Sequence, residues 1–288
     1  MSDTPKILVT GSSGQLGQCL KELSQQYTSF RFYFFSRPEF MLDDTEKMQN
    51  VFASVNPNFC INCAAYTAVD KAETENEMAF NTNAKGVGEL ALLCAQYQTK
   101  FIHISTDYVF NGKSSLAYLE NNPVDPVNVY GASKAGGEKL AMEFHASSII
   151  IRTSWVYSLY GKNFVKTMVN LMRQKNEISV VNDQTGCPTY AVDLAKCIMQ
   201  IITQQKWVPG IYHYCNAGSI TWYDFAVAIQ QIINSNCEVN AIPTSSYPTP
   251  AKRPGWSVLD TSKIKSSYGI TIPYWKDSLV ECLKQLQF

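Results

Sequence analysis

The stretch Lys6-Ile7-Leu8-Val9-Thr10-Gly11-Ser12-Ser13-Gly14-Gln15-Leu16-Gly17 decides the fold. It begins as a short apolar run typical of a buried strand and ends as three glycines, spaced GxxGxxG, that open an amphipathic segment. A glycine loop between a strand and a helix lets the backbone approach a pyrophosphate, and the helix amino terminus supplies N–H donors and a favourable dipole. We therefore predict a dinucleotide site at Gly11, Ser13, Gly14 and Gly17.

Downstream of this loop, apolar strands alternate with helical segments. Strands are predicted at residues 30–35, 59–63, 101–104 and 148–151, and helices at residues 16–23, 45–55 and 75–98 and around Tyr130. The strands are continuously apolar, which is typical of a parallel sheet covered on both faces. The predicted fold class is α/β, a Rossmann-type doubly wound parallel sheet with a smaller C-terminal α/β substrate-binding domain.

The domain boundary is predicted near residue 152, where the pattern loosens and Pro and Trp become frequent. Residues 1–152 are expected to form the NAD(P)-binding Rossmann domain. Residues 153–288 are expected to be mainly substrate-binding, with segments near 178–215 returning to the first domain.

Composition excludes several classes of protein. The 288 residues have a formal net charge of zero and 17% charged residues, so no electrostatic footprint for nucleic acid or an anionic membrane is present. No apolar run approaches the ~18 residues of a membrane span, and the amino terminus lacks a signal-peptide pattern. Nine scattered cysteines, an odd number, indicate free thiols and a cytoplasmic location.

Cofactor preference is predicted from the end of the second strand. NAD-binding folds usually place Asp or Glu there, on the adenosine ribose 2′-hydroxyl. Here the strand ends in Ser36-Arg37-Pro38, and Arg37 could accept a 2′-phosphate, so NADPH is favoured and NADH remains an alternative. Asp43 and Asp44 could reach the adenine, but a helix cap before Thr45 explains them equally well.

A candidate catalytic group follows from Tyr130 and Lys134, which lie four residues apart on one face of a helix. A phenol with a pKa near ~10 is a weak acid at neutral pH unless a neighbour stabilises the phenolate, and an ammonium one turn away can do so. Thr106 ends a strand and points toward the ligand crevice. The three side chains together predict a hydroxyl that polarises a carbonyl, a tyrosine that protonates it and a lysine that tunes the tyrosine.

Other residues at strand ends complete the expected crevice. Small residues at Ala64 and Ala65 leave room for a cofactor across the sheet edge. Trp155 follows a strand terminus on the same side and is expected to contact a sugar or base. Trp222 begins a helix and is expected in the core.

Several motifs resemble a known family. They are residues 11–17 (GSSGQLG), 67–73 (TAVDKAE), 105–110 (STDYVF), 128–131 (NVYG), 152–157 (RTSWVY), 182–189 (NDQTGCPT) and 248–254 (PTPAKRP). The chain is similar to the extended short-chain dehydrogenase/reductase superfamily and, within it, to the dTDP-4-dehydrorhamnose reductase family. This resemblance implies NAD(P)H-dependent reduction of the 4-keto group of a dTDP-6-deoxy-hexulose to dTDP-L-rhamnose.

The resemblance also implies roles for individual residues. Together with the positions argued above from the glycine loop and the end of the second strand, it gives these cofactor-binding positions: Gly11, Ser13, Gly14, Gln15, Leu16, Gly17, Arg37, Asp43, Asp44, Ala64, Ala65, Tyr66, Tyr130 and Lys134. Catalytic residues would be Thr106, Tyr130 and Lys134. Substrate contacts would be Thr67, Thr106, Asp107, Tyr130, Trp155, Asn163 and Arg253.

Three departures and three alternatives accompany this resemblance. Tyr66 replaces a histidine that some members carry. Trp256 is bulkier than expected, and Cys19 stands where an acid would hold a metal between subunits, so no metal is predicted. The oligomeric state is left as monomer or homodimer. The alternatives are a related nucleotide-sugar epimerase or dehydratase, a regulatory subunit that binds NADP without turnover, and a redox sensor. A dehydratase would need an extra acid–base pair, commonly Asp-Glu, directly after the strand-end hydroxyl. Here Thr106-Asp107 is followed by Tyr108, so the pair is missing.

Overall fold

The computed structural model describes residues 4–286, and it is an alternation of strands and helices. The strands are β1 (Lys6–Thr10), β2 (Arg31–Phe35), β3 (Phe59–Asn62), β4 (Lys100–Thr106), β5 (Ile149–Thr153), β6 (Val156–Tyr157), β7 (Glu177–Val181), β8 (Thr185–Gly186), β9 (Thr189–Tyr190), β10 (Gly210–His213), β11 (Ile220–Thr221) and β12 (Glu238–Ile242). The helices are α1 (Gln15–Leu23), α2 (Thr45–Val55), α3 (Val69–Ala72), α4 (Asn76–Phe80), α5 (Gly86–Gln96), α6 (Val129–Phe144), α7 (Phe164–Gln174), α8 (Ala191–Thr203), α9 (Trp222–Ile232), α10 (Ser262–Tyr268) and α11 (Trp275–Gln285).

Six strands form a parallel sheet in the order β10-β5-β4-β3-β1-β2. The chain winds outward in one direction from β1 to β2 and in the other from β3 onward, so a topological switch point lies between β1 and β3. Ligands of open α/β sheets bind outside the carboxyl ends of the strands at such a point. The predicted α/β Rossmann-type fold is confirmed.

Both faces of this sheet are covered, as its continuously apolar strands predict. On one face, Ile7, Val9 and Ile151 pack with residues of α1, α8 and α10. On the other face, Leu8 and Phe101 pack with α2, α5 and α6. Burial on both faces explains why the strands have no polar alternation.

The predicted helix over residues 75–98 is interrupted by one wide turn. It runs as α4, a π-helical segment at Asn81–Lys85, and α5. Such π turns are frequent at functional sites. Here the turn presents the Asn83 side chain to the backbone of Tyr66, whose N–H and carbonyl it bonds at 2.8 and 3.0 Å. This turn therefore holds the loop that follows β3.

The residues after β5 form a second core, with β10 and α8 returning to the first. Within the described residues the second part contains the two-stranded sheets β6-β9, β7-β12 and β8-β11. Its core lies between α7, α9, α11 and these strands, around Phe225 and Leu279. None of the helices in residues 4–286 is long and apolar enough to cross a bilayer.

Candidate active site

A cleft of about 750 Å³ opens at the carboxyl ends of β1 to β5. Its lining begins at the glycine loop, crosses the ends of β3 and β4, and reaches α6 and the segment after β5. The predicted site residues in this lining are Gly11, Ser13, Gly14, Gln15, Leu16, Arg37, Ala64, Ala65, Thr67, Thr106, Asp107, Tyr130, Lys134 and Trp155. The structure therefore brings together most of the residues proposed from the sequence.

The glycine loop has the shape that a pyrophosphate requires. Gly11 has a φ of +65°, and a Cβ there would lie 2.6 Å from the Ala64 nitrogen, so no other residue fits without displacement. The helix α1 begins after Gly14, which offers no side-chain cap, and no acidic side chain lies in its first turn. Its N–H groups and the positive end of its dipole therefore face the cleft and suit an anion.

Gly17 and Asn163 are exceptions to the predicted contacts, because neither lies in the lining of the cleft. A Cβ at Gly17 would come within 2.5 Å of the Gly11 carbonyl oxygen, so this glycine allows α1 to pack against the loop. Asn163 caps α7 by accepting from the Lys166 N–H at 3.1 Å, and its amide donates to Gln15 Oε1 at 2.9 Å. Asn163 is therefore a support for Gln15 and not a lining residue.

Around the predicted adenosine end, Arg37 alone of the three proposed charged residues lines the cleft. Asp44 caps α2, since its carboxylate accepts from the Lys47 N–H at 3.0 Å, and this interaction lowers its pKa. This is the helix-cap alternative. Asp43 is exposed outside the lining.

Tyr66 also lies outside the cleft lining, although Ala64 and Ala65 before it and Thr67 after it belong to it. Its hydroxyl donates to Glu75 Oε2 at 2.5 Å, which directs the ring toward the start of α4. The side chain of Tyr66 therefore holds the loop rather than facing the cleft.

Tyr130 and Thr106 lie together at the far end of the cleft. The Thr106 hydroxyl caps a short turn by accepting from the Tyr108 N–H at 3.2 Å, and it donates to Asp107 Oδ1 at 3.0 Å. Loss of solvent raises the pKa of Tyr130 to about 12, although the Thr106 hydroxyl acts to lower it. Tyr130 therefore holds its proton at neutral pH and is poised to donate it.

Lys134, four residues after Tyr130 on α6, reaches with its amine to groups of β4. Its side chain is 2% exposed, and Nζ donates to the Ile104 carbonyl at 2.7 Å and lies 3.2 Å from His103 Nε2. Desolvation lowers the pKa of Lys134 to about 8. The lysine is thus buried against β4, with its pKa well below the usual value for an ammonium.

Asp107 carries a buried and incompletely bonded carboxylate. Its Oδ1 accepts from the Thr106 hydroxyl, and its Oδ2 makes no close hydrogen bond among the described residues, although the Ser257 hydroxyl lies near enough to lower the pKa of the carboxyl. Burial raises the pKa of Asp107 to about 6, against the lowering effect of nearby hydroxyls. An unpaired buried oxygen facing a cleft is a candidate acceptor for a ligand hydroxyl.

Two tryptophans form a wall of the cleft. The rings of Trp155 and Trp222 are stacked with centroids 3.5 Å apart and planes 11° apart. Trp155 has a φ of +48°, and a Cβ at Gly186 would lie 2.7 Å from its ring, so this glycine makes room for the indole. Trp222, expected in the core, also packs on Phe164 and lines the cleft. Sequence offered no signal for this role, because the stacking joins residues far apart in the chain.

A second cavity of about 420 Å³ lies beside the first, and Tyr108 and Trp222 belong to both walls. Its other walls come mainly from α7 and β7, with Arg253 at one side. Arg253 forms a two-point ion pair with Asp70, at 2.9 and 2.8 Å. The two cavities together can hold an extended ligand that reaches the reactive end of the cleft.

The side chains that could bind a metal and the thiols are scattered in the described part of the chain. Residues 4–286 contain no cluster of three or more His, Cys, Asp or Glu side chains suited to a metal. All nine cysteines are free thiols, and eight are buried. Cys60 packs on one face of the sheet and Cys63 on the other, so the CxxC spacing does not make a pair.

Comparison with known proteins gives consistent matches over the whole chain. A family model described as the RmlD substrate binding domain matches residues 5–288. A dTDP-4-dehydrorhamnose reductase of Aggregatibacter actinomycetemcomitans is 40% identical over 284 residues, 95% of this chain and 97% of that protein. The spore coat polysaccharide biosynthesis protein SpsK of Bacillus subtilis is 38% identical over 281 residues, 97% of each chain.

A solved structure has closely the same fold. The dTDP-4-dehydrorhamnose reductase of Bacillus anthracis, crystallised in complex with NADP, is 36% identical with a TM-score of 0.94, covering 98% of this chain and 100% of that one. The resemblance inferred from the motifs is confirmed. This chain belongs to the RmlD substrate binding domain family.

Proposed function

We propose that this protein is an NADPH-dependent oxidoreductase that reduces the 4-keto group of dTDP-4-dehydro-6-deoxy-L-mannose to dTDP-L-rhamnose, the last step of dTDP-rhamnose biosynthesis. The observation that carries this proposal is one cleft with an anion-binding glycine loop at one end and the Thr106 and Tyr130 hydroxyls at the other. The names of the relatives, at 36–40% identity over nearly the whole chain, support this substrate.

The residues at the cofactor end fit NADPH. The Gly11 cradle and the uncapped start of α1 suit the pyrophosphate, and Arg37 is placed for a 2′-phosphate. When bound, NADPH supplies a hydride to the carbonyl carbon of the sugar. NADH is a weaker alternative, since the end of β2 carries Arg37 in place of the usual carboxylate.

The protein's part in the reaction is to stabilise charge and move one proton. As the carbonyl oxygen becomes negative, Tyr130 donates a hydrogen bond to it, and Thr106 does the same once its hydroxyl turns away from Asp107 Oδ1. Such bonds lower the barrier most in a site that excludes water. Tyr130 then transfers its proton to this oxygen. A sugar alkoxide is a stronger base than a phenolate, so the transfer is downhill even with the raised pKa of Tyr130. A protonated Lys134, one helical turn from Tyr130, favours the phenolate that results.

The substrate is proposed to span both cavities, with residues 153–288 forming most of its binding site. The nucleotide would lie in the second cavity, Arg253 would face its diphosphate, and the Trp155–Trp222 wall would contact the sugar. Asp107 Oδ2 would accept from a sugar hydroxyl. We also propose that the protein lies in the cytoplasm and is a monomer or a homodimer.

The test is to add enzymatically generated dTDP-4-keto-6-deoxy sugar to the protein with NADPH or NADH in turn. We expect oxidation of NADPH and formation of dTDP-L-rhamnose, identified by NMR. A protein that binds NADPH but does not oxidise it would instead be a regulatory subunit. Conversion of the keto-sugar into an isomer, without NADPH oxidation, would indicate an epimerase.

A further inference from the structure

A row of buried polar side chains crosses the sheet beneath the glycine loop and ends at Lys134. Thr10, Asn62 and His103 are register partners on β1, β3 and β4, and each is fully buried. The Thr10 hydroxyl donates to Asn62 Oδ1 at 2.6 Å, and Asn62 Nδ2 lies 3.0 Å from His103 Nδ1. The other ring nitrogen, Nε2, lies 3.2 Å from Lys134 Nζ. The row therefore connects the floor of the cleft to the lysine.

The direction of each hydrogen bond in this row is determined by one backbone group. The Ala64 N–H donates to Asn62 Oδ1 at 3.1 Å, and a backbone N–H can only donate. The amide oxygen of Asn62 must therefore face Ala64, which turns its NH₂ group toward His103. Because that NH₂ group also only donates, Nδ1 of His103 has to be the nitrogen without a proton.

His103 is consequently held as a neutral ring with its proton on Nε2. A charged ring would set a second N–H against the Asn62 amide. Burial, together with the charge of Lys134, lowers the pKa of His103 well below its usual range, in agreement with this arrangement. The Nε2–H bond then points at Lys134 Nζ.

The Nε2–H group of His103, which points at Nζ, distinguishes the ammonium form of Lys134 from its neutral amine form. An ammonium has three donors and no acceptor, whereas a neutral amine has a lone pair that can accept from Nε2–H. One Nζ proton is used by the Ile104 carbonyl in either form. We propose that His103, oriented by Asn62, is a positioning residue that favours the neutral amine of Lys134 and so sets the alkaline limit of catalysis. This proposal rests on the function of Lys134 in the reduction described above.

Other groups that face Lys134 act in the opposite direction. Glu138, one turn along α6, and the Cys63 thiol, at the end of β3, both raise the pKa of the lysine, but desolvation outweighs them. Glu138 is already paired with Arg152 at 2.6 Å and accepts from the Ser105 hydroxyl at 2.5 Å. Its charge is therefore largely compensated by a nearer cation, which leaves His103 as the polar side chain in contact with Nζ.

Asn62→Asp tests the proposal because it reverses the hydrogen bond between residue 62 and His103 while keeping the shape of the side chain. One carboxylate oxygen can accept from Ala64 and Thr10, and the other can accept from His103 only if Nδ1 carries the proton. Nε2 then becomes an acceptor that stabilises the ammonium. We expect the alkaline limb of the pH profile of kcat/KM to move up by ~1 pH unit or more. Thr99→Val is the matched control, since Thr99 is fully buried in the same part of the fold and its hydroxyl bonds the Pro57 carbonyl.

The tautomer itself can be measured without any turnover. Nitrogen-15 NMR of histidine-labelled protein, with His103→Leu to assign the signals, should show Nε2–H in the natural protein and Nδ1–H in Asn62→Asp. Nδ1–H or an imidazolium at His103 in the natural protein at neutral pH would overturn the proposal, as would an unmoved alkaline limb in an active Asn62→Asp enzyme. If the natural protein reduces no keto-sugar, the proposed function fails while the NMR signal still decides the orientation of His103.

Discussion

The guanidinium of Arg253 donates two parallel hydrogen bonds, of 2.9 and 2.8 Å, to the carboxylate of Asp70. Asp70 lies in α3, just after β3, whereas Arg253 lies in the C-terminal part and lines the second cavity. The ion pair lowers the pKa of Asp70 and raises that of Arg253. The pair thus joins the two parts of the molecule next to the place proposed for the diphosphate.

Arg253→Lys should weaken substrate binding more than folding. A lysine keeps the charge but cannot bind a diphosphate or carboxylate at two points, so we expect KM for the dTDP-sugar to rise ~10-fold while the Kd of NADPH stays the same. A partly exposed ion pair contributes only ~0–1 kcal/mol to stability, so the fold should tolerate the change.

The companion variant Asp70→Asn shows whether Arg253 binds the substrate or only holds the two parts of the molecule together. It frees the guanidinium from its competitor, so KM should be unchanged or lower. Steady-state kinetics checks both variants. An equal rise of KM in both would mean that the ion pair only holds the two parts of the molecule together.

Asp107→Asn should stabilise the protein at neutral pH while impairing the enzyme. The folded-state pKa of about 6 lies above the unfolded value of 3.8, so the carboxyl contributes stability below pH ~4 that is lost as pH rises through 6. Removing the charge should therefore raise the free energy of unfolding by about 1–3 kcal/mol at pH 7.5 and much less at pH 4. Thermal unfolding across this range checks the sign. The same gain at both pH values would contradict the assignment. KM for the sugar should rise because, with the amide oxygen still accepting from Thr106, an NH₂ donor takes the place of the Oδ2 acceptor.

Tyr130→Phe should stop turnover and leave NADPH binding nearly intact. The phenol is the proposed proton donor, and positioned acid catalysis contributes about 10²–10⁴-fold to the rate. Tyr108→Phe is a matched control, since its ring packs edge-to-face against Tyr130 at 5.8 Å but is not proposed to transfer a proton. Fluorescence titration of NADPH and a turnover assay separate binding from chemistry. A Tyr130→Phe enzyme with nearly the natural rate would remove the tyrosine from the mechanism.

The Rossmann part could be predicted because its determinants are local. The run Ile7–Val9, the glycines after it and the cap at Asp44 act within a few residues of one another, so their spacing predicts strand, loop and helix. The strand ends at Ala64 and Thr106 could be placed in one crevice because parallel strands end at one edge.

Contacts between distant segments could not be predicted in this way. Lys134 has the spacing of a partner for Tyr130, but its Nζ is bonded by groups on β4, thirty and thirty-one positions away. Asn163 was predicted to contact the ligand, but its amide donates a hydrogen bond to Gln15, 148 positions away. Trp222 stacks on Trp155 because two parts of the fold meet there. Such outcomes depend on packing, which periodicity does not encode.

Arg37→Ala should convert the preference for NADPH into indifference between the two cofactors. Arg37 lines the cleft beside the glycine loop, where a 2′-phosphate would accept charge-assisted hydrogen bonds worth about 1.5–3 kcal/mol. The Kd of NADPH should accordingly rise about 10- to 100-fold while that of NADH changes little. Arg31→Ala is the matched control, because Arg31 is the exposed first residue of β2, outside the cleft. Titration of both cofactors against both variants measures the effect. Equal weakening of NADPH and NADH by Arg37→Ala would show that Arg37 supports the loop instead of reading the phosphate.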